Sequence, residues 1–228
     1  MSLEPEIKKS RIHSSNSSLN SNSSSGSIKP RISLFENEKD VMLQIFEEYH
    51  NQKYEICGNL TITDDNKLTD ITYNKRNADK NKKKYEERNP DDKRERNNCE
   101  YSKYSTAIWH THPNKIYPSS EDVLKVLKHP SISYSFIIGC YGYFKIIGIS
   151  DIAIQFNETE KELLTKELNE YYSPTTLRGT LFIKEKMIPF LKGLNKFLKE
   201  IIETKGMSSQ IKFKIKYFLY NKKPRKLC

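Results

Sequence analysis

The run Ser105 to Trp109 reads as a β-strand that ends in Trp109-His110-Thr111-His112-Pro113, and with six residues between, His112 is followed by Ser119-Ser120-Glu121-Asp122, a helix start that continues to Lys128. A strand running straight into a helix restricts the chain to folds that mix the two kinds of element. The flanking patterns agree. Val41, Ile45 and Phe46 recur at helical spacing between Glu38 and His50, after a short strand signal at Ile32, Leu34 and Phe35. Tyr54 to Ile62 and Leu68 to Tyr73 are β-rich runs joined by the turn signal Asp64-Asp65-Asn66-Lys67, which predicts a hairpin. Ser133 to Gly139 and Tyr143 to Ile149 predict a second strand pair, and Ile152 to Phe156 a further strand closing the sheet. Beyond these, Glu158 to Tyr171 has helical composition, and Ile183 to Thr204 gives a helical stretch kinked or divided at Pro189. Ile211, Phe213, Ile215 and Tyr217 alternate with Lys212, Lys214 and Lys216, the period of a strand with a basic outer face. The order of elements predicts an α/β or α+β domain.

Not all of the chain carries such patterning. Only 36% of the 228 residues are apolar, below an ordinary globular share, although 14 Tyr and 10 Phe suffice for a core. Residues 1–29 are dominated by Ser and Asn and predict a disordered arm. Residues 74–100, with Lys80, Lys82, Lys83, Lys84, Arg88, Lys93, Arg94 and Arg96, show no apolar periodicity and predict a long mobile insertion. The folded domain is expected over residues 30–157, and residues 158–228 form a helical and basic extension that ends in Lys222-Lys223-Pro224-Arg225-Lys226. The formal net charge is +10. The basic runs are read first as solvated surface, with nucleic acid or an acidic protein as a further partner through the insertion and the tail.

No apolar window is long enough to span a membrane, and no secretory leader is recognised at Met1. Cys57, Cys99, Cys140 and Cys228 lie far apart with no C-x-x-C pair, so the expectation is four free thiols in a reducing cytoplasmic or nuclear compartment, with Cys57 and Cys140 in the core. His50, at a helix end, and His129, before Pro130, read as surface caps.

Residues i and i+2 of a strand project to one face, so the imidazoles of His110 and His112 can reach a single metal ion. Ser119 suits the N-cap of the following helix and Asp122 its third position, from which the carboxylate leans back toward the strand end. Two imidazoles, one carboxylate and a position for water make the composition of a catalytic zinc centre. Such a centre needs a base that is not a ligand. Glu55, charged amid the β-rich run Tyr54-Glu55-Ile56-Cys57-Gly58, is the candidate, and Gly58 allows a close backbone or substrate approach.

These residues resemble the JAMM/MPN (JAB/Mov34-type) zinc metalloproteases, which include deubiquitinating isopeptidases. The resemblance rests on Glu55-Ile56-Cys57-Gly58, His110-Thr111-His112-Pro113 and Pro118-Ser119-Ser120-Glu121-Asp122, and covers roughly residues 30–156. It implies a cytidine-deaminase-like mixed sheet flanked by helices. It also implies His110, His112 and Asp122 as ligands of one zinc ion per chain, Glu55 as general acid/base, and Ser119 as donor to the carbonyl oxygen of the scissile bond. The implied substrates are conjugates of ubiquitin or a ubiquitin-like protein, and relatives often require an activating partner. The chain departs from the family in having six residues between His112 and Ser119 where seven are usual, which leaves Ser120 as an alternative oxyanion donor. The insertion 74–100 falls where some relatives carry a segment that contacts ubiquitin, and no counterpart of a second insertion follows Asp122. Two other readings stand beside the hydrolase: a non-catalytic scaffold of the same fold, and a basic nucleic-acid-associated protein.

Overall fold

The computed structural model describes residues 35–87, 99, 101, 104–113, 118–140, 142–150, 152–170, 187–207 and 209–220. Among them the elements are α1 (Glu38–Tyr49), β1 (Cys57–Ile62), β2 (Leu68–Tyr73), α2 (Lys75–Glu86), β3 (Ala107–Thr111), α3 (Ser120–Lys128), β4 (Tyr134–Ile138), β5 (Gly142–Ser150), α4 (Glu158–Glu170), α5 (Ile188–Thr204) and β6 (Ile211–Leu219). The strands form one mixed sheet in the order β2-β1-β3-β4-β5-β6, in keeping with the expected α+β class. The expected N-terminal arm, the strand signal at Ile32 and Leu34, the Lys222–Lys226 tail and Cys228 lie outside the described residues.

Only β3 and β4 pair in parallel, and α3 makes the crossover between them. That unit places the C-terminal end of β3 beside the N-terminus of α3, the place where mixed and parallel sheets hold their ligands. Alternation along the strands builds two cores. Ala107, Trp109, Tyr134, Phe136, Tyr143 and Ile147 pack with α1 on one face. Ile108, Ile137, Phe144 and Ile146 pack with α3, α4 and α5 on the other, so His110, two residues after Ile108, points to the α3 side.

α5 buries Phe190, Leu194, Leu198 and Ile202, a stripe at four-residue spacing, and Pro189 occupies its first turn, where its missing N–H costs nothing. β6 alternates as its period predicts and pairs with β5 over nine positions, from Ile211↔Ser150 to Leu219↔Gly142. This strand, and not residues 152–156, completes the sheet: Ile152 to Phe156 is no strand, and Ile154 instead donates its N–H to Leu127 O at the end of α3. The hairpin closes through Asn66 at φ 62°, a conformation that Asn tolerates, and Asp70 at φ 49° accompanies a bulge opposite Asn59–Thr61. At Gly58 an added Cβ would lie 1.7 Å from Thr72 O, so the glycine admits the neighbouring strand β2.

The expected structureless insertion begins as a helix. α2 spans Lys75–Glu86, capped by Asn74, whose side chain accepts from Asn77 N. Apolar periodicity did not reveal it because its buried side is made of Asn77, Ala78 and Asn81. Residues 88–98 and 100 lie outside the described part.

A second correction concerns the thiols. Cys57 and Cys99 form a disulfide with Cα atoms 5.9 Å apart, and Cys140 is also disulfide-bonded. The chain returns to β1 only after 42 residues, so sequence spacing does not disclose the pair. The pairing removes the thiol argument for a reducing compartment. Among the described residues no helix is long and apolar enough to cross a membrane.

Candidate metal centre

β3 runs one residue past His110, and the chain then keeps its extended course: His112 donates its backbone N–H to Ile138 O of β4 at 2.9 Å. Both imidazoles are thereby held on the α3 side of the sheet, 3% and 6% exposed for His110 and His112. Across from them α3 starts at a full capping box. The Ser119 hydroxyl accepts from Asp122 N at 3.3 Å, while Asp122 Oδ2 accepts from Ser119 N at 2.7 Å. The motif that starts the helix therefore also fixes the Asp122 carboxylate toward the strand end.

The result is a three-way convergence. His110 Nε2 lies 3.1 Å from His112 Nε2 and 3.1 Å from Asp122 Oδ1, and His112 Nε2 lies 3.4 Å from Asp122 Oδ2. Ligand atoms about 2.0–2.1 Å from a tetrahedral zinc ion stand ~3.3 Å from one another. The three side chains thus form a group able to hold a metal ion, Asp122 meeting His110 through Oδ1 and His112 through Oδ2. Burial alone pushes the Asp122 carboxyl up, but the charge of His110 and hydrogen bonds from both imidazoles outweigh it and hold the group well below the usual carboxylate range. An ionised carboxylate is the form a metal requires.

Glu55 occupies the residue before Ile56 and β1, its Oε1 3.7 Å from His112 Nε2. It stands beside the three-residue group without belonging to it. Its place is secured from both sides. Thr111 donates its backbone N–H to Ile56 O at 2.8 Å, Ile56 N–H donates to Thr111 Oγ1 at 3.0 Å, and Asn81 Nδ2 of α2 donates to Glu55 O at 3.0 Å. The Ser119 hydroxyl donates to Asp122 Oδ2 at 2.7 Å, whereas Ser120 Oγ accepts from Thr165 on α4 at 3.1 Å, so it is Ser119 that adjoins the centre. His50 and His129 are the C-caps of α1 and α3, as their sequence positions suggested.

Sequence reasoning missed Thr111, Asn81, Tyr101 and Lys125. Thr111 was passed over as the residue between two histidines, and the only signal was its β-branched side chain on the opposite face of the strand. Asn81 comes from the charged insertion and Tyr101 from the residue just past its end, where no periodicity marks a buried residue. Tyr101 Oη is 3.5 Å from His110 Nδ1, and burial, with the charges of Asp122 and Glu55, holds the phenol protonated far above its ordinary range. Lys125, one turn after Asp122, has its ammonium 4.6 Å from the Tyr101 ring centroid, and burial lowers its pKa against the opposing pull of Asp122, Glu55 and Glu121. No family model, curated protein or solved structure matches the chain.

Proposed function

We propose that the chain is a zinc-dependent hydrolase of an amide bond, an isopeptidase of the JAMM/MPN type acting on conjugates of ubiquitin or a ubiquitin-like protein. The observation that supports this reading is the convergence of His110, His112 and Asp122 at 3.1–3.4 Å with a second acidic side chain, Glu55, beside them and outside the three-residue group. A structural zinc site uses four protein ligands, while a catalytic one uses three and keeps a base at hand.

Zinc bound by these three residues supplies Lewis acidity, which polarises a substrate carbonyl and makes a water acidic near neutral pH. The protein supplies the rest. Glu55 accepts the proton of the attacking water and delivers it to the leaving amine, a double role open to a carboxylate held within reach but not coordinated. Ser119, on the capping turn, offers its hydroxyl to the carbonyl oxygen as charge develops there. His110 and His112 stay neutral as ligands, and the ionised Asp122 offsets part of the metal's charge. A non-catalytic scaffold of this fold would need neither a complete ligand set nor the adjacent carboxylate.

The test is the Glu55→Gln variant. Its zinc content should equal that of the wild type, while cleavage of ubiquitin-like conjugates should fall about 10²–10⁴-fold. Cleavage at the wild-type rate would remove Glu55 from the role of base.

A further inference from the structure

We propose that Tyr101 is a positioning residue of the metal centre, holding the outer nitrogen of His110, and that the Cys57–Cys99 disulfide keeps it there. The inference rests on the metal-centre reading above and adds a component from the segment that follows the charged insertion. His110 turns Nε2 toward His112 and Asp122, at 3.1 Å from each. The proton of a neutral imidazole bound through Nε2 must then sit on Nδ1, and Nδ1 faces Tyr101 Oη at 3.5 Å. A metal-bound histidine commonly gives that N–H to an oxygen, which fixes the ring and its tautomer. Among the described residues Tyr101 Oη is the oxygen in that place.

Two contacts hold the tyrosine, and a third ties its segment to the same lysine. Its ring packs against the core on the α3 side of the sheet, the Lys125 ammonium lies over its face at 4.6 Å, and the same Nζ donates to Cys99 O at 3.2 Å. Cys99, two residues earlier, is tied to Cys57, and Cys57 is the register partner of His110 across β1 and β3. The disulfide therefore anchors the segment carrying Tyr101 on the residue next to the ligand that Tyr101 addresses. Nothing in the spacing of the zinc motif calls for either partner, since both Cys99 and Tyr101 lie outside it.

The experiment measures metal affinity and ligand field in the full chain with its disulfides intact. Zinc dissociation constants come from competition with a chromogenic chelator, and visible absorption spectra from cobalt(II) substituted at the same site. Tyr101→Phe keeps the ring and removes the oxygen, so zinc should bind about 10- to 100-fold more weakly and the cobalt bands should shift, with the melting temperature of the metal-free protein unchanged. The Cys57→Ala/Cys99→Ala variant should weaken zinc by a comparable factor, and adding it to Tyr101→Phe should cost no further affinity, because both act through one contact. If the wild type binds zinc and Tyr101→Phe binds it within twofold with the same cobalt spectrum, the role of Tyr101 is overturned and the metal centre stands. If additive losses appear in the combined variant, the disulfide does not act through Tyr101. Failure of the wild type to bind zinc or cobalt overturns the metal reading itself.

Discussion

Thr111 and Ile56 are joined by three hydrogen bonds, Thr111 N to Ile56 O at 2.8 Å, Ile56 N to Thr111 Oγ1 at 3.0 Å and Thr111 Oγ1 to Ile56 O at 3.5 Å. The residue between the two histidines thereby fastens the residue that follows Glu55, so the ligands and the base are registered to each other through one side chain. Thr111→Val preserves shape and leaves the buried Ile56 N–H without that acceptor. The loss should lower stability by about 1–3 kcal/mol. In a denaturant titration the midpoint moves down with the slope unchanged, while zinc stays bound and turnover falls. Turnover equal to wild type would show that Glu55 is held by other contacts.

Removing a ligand has a different signature. His112→Ala and Asp122→Ala each leave two of the three converging groups, so elemental analysis should find about one zinc per wild-type chain and little in either variant. Asp122→Ala also deletes half of the capping box, which adds a loss of about 1 kcal/mol that His112→Ala does not show. Full zinc retention in both variants would place the metal elsewhere.

Away from the centre, Glu38 is wholly buried and accepts from Phe35 N at 3.1 Å, from the Tyr143 hydroxyl at 2.9 Å and from the Lys145 ammonium. Lys145 also lies 4.3 Å from the Phe35 ring centroid, inside the α1-side core. Glu38→Ala strands a buried cation and should destabilise by about 3–5 kcal/mol, whereas Glu38→Ala with Lys145→Met should regain most of that loss. Equal destabilisation in the single and double variants would mean that packing, not charge, is what Glu38 supplies.

Alkaline pH acts on the same region. Burial, then the charge of Glu38, raises the Tyr134 and Tyr143 phenols, and burial raises Tyr49 and Tyr220, all above the ordinary ~10. A raised folded-state pKa gives stability that is full below the unfolded value and lost as pH rises above it. Burial lowers the ammonium groups of Lys145 and Lys216, and these lysines work in the opposite sense up to their unfolded value of ~10.4. The net fall should therefore set in above about pH 10.5. Beyond the share of exposed tyrosines such as Tyr73, Tyr85 and Tyr104, tyrosinate absorbance should rise in one step with the loss of near-ultraviolet circular dichroism, and completion of the rise with the fold intact would contradict it.

Much of this molecule follows from local pattern. Near-continuous apolar runs mark residues 134–138 and 142–150, whose strands are buried on both faces, and alternation marks 211–219, whose strand has one core to face. Ser119 and Asp122 announce the start of α3, since a capping box is local chemistry. His110, His112 and Asp122 were legible as a group because a strand end and the following helix start are neighbours in sequence and in space. The helix α2 was not legible: its stability comes from the Asn74 cap, the Lys82–Glu86 and Lys83–Glu87 pairs and buried asparagines, none of which makes an apolar stripe. What tertiary structure alone decided is which distant residues meet. The Cys57–Cys99 bond, the bonding of Ile56 to Thr111 and the pairing of β6 with β5 join residues separated by long stretches of chain, and the closing of such contacts depends on the packing of everything between them. The sequence by itself determined most of the elements and the grouping of His110, His112 and Asp122; the sheet order and the return of the chain to β1 decided what surrounds that group, because side-chain periodicity encodes which face is buried and not which segment buries it.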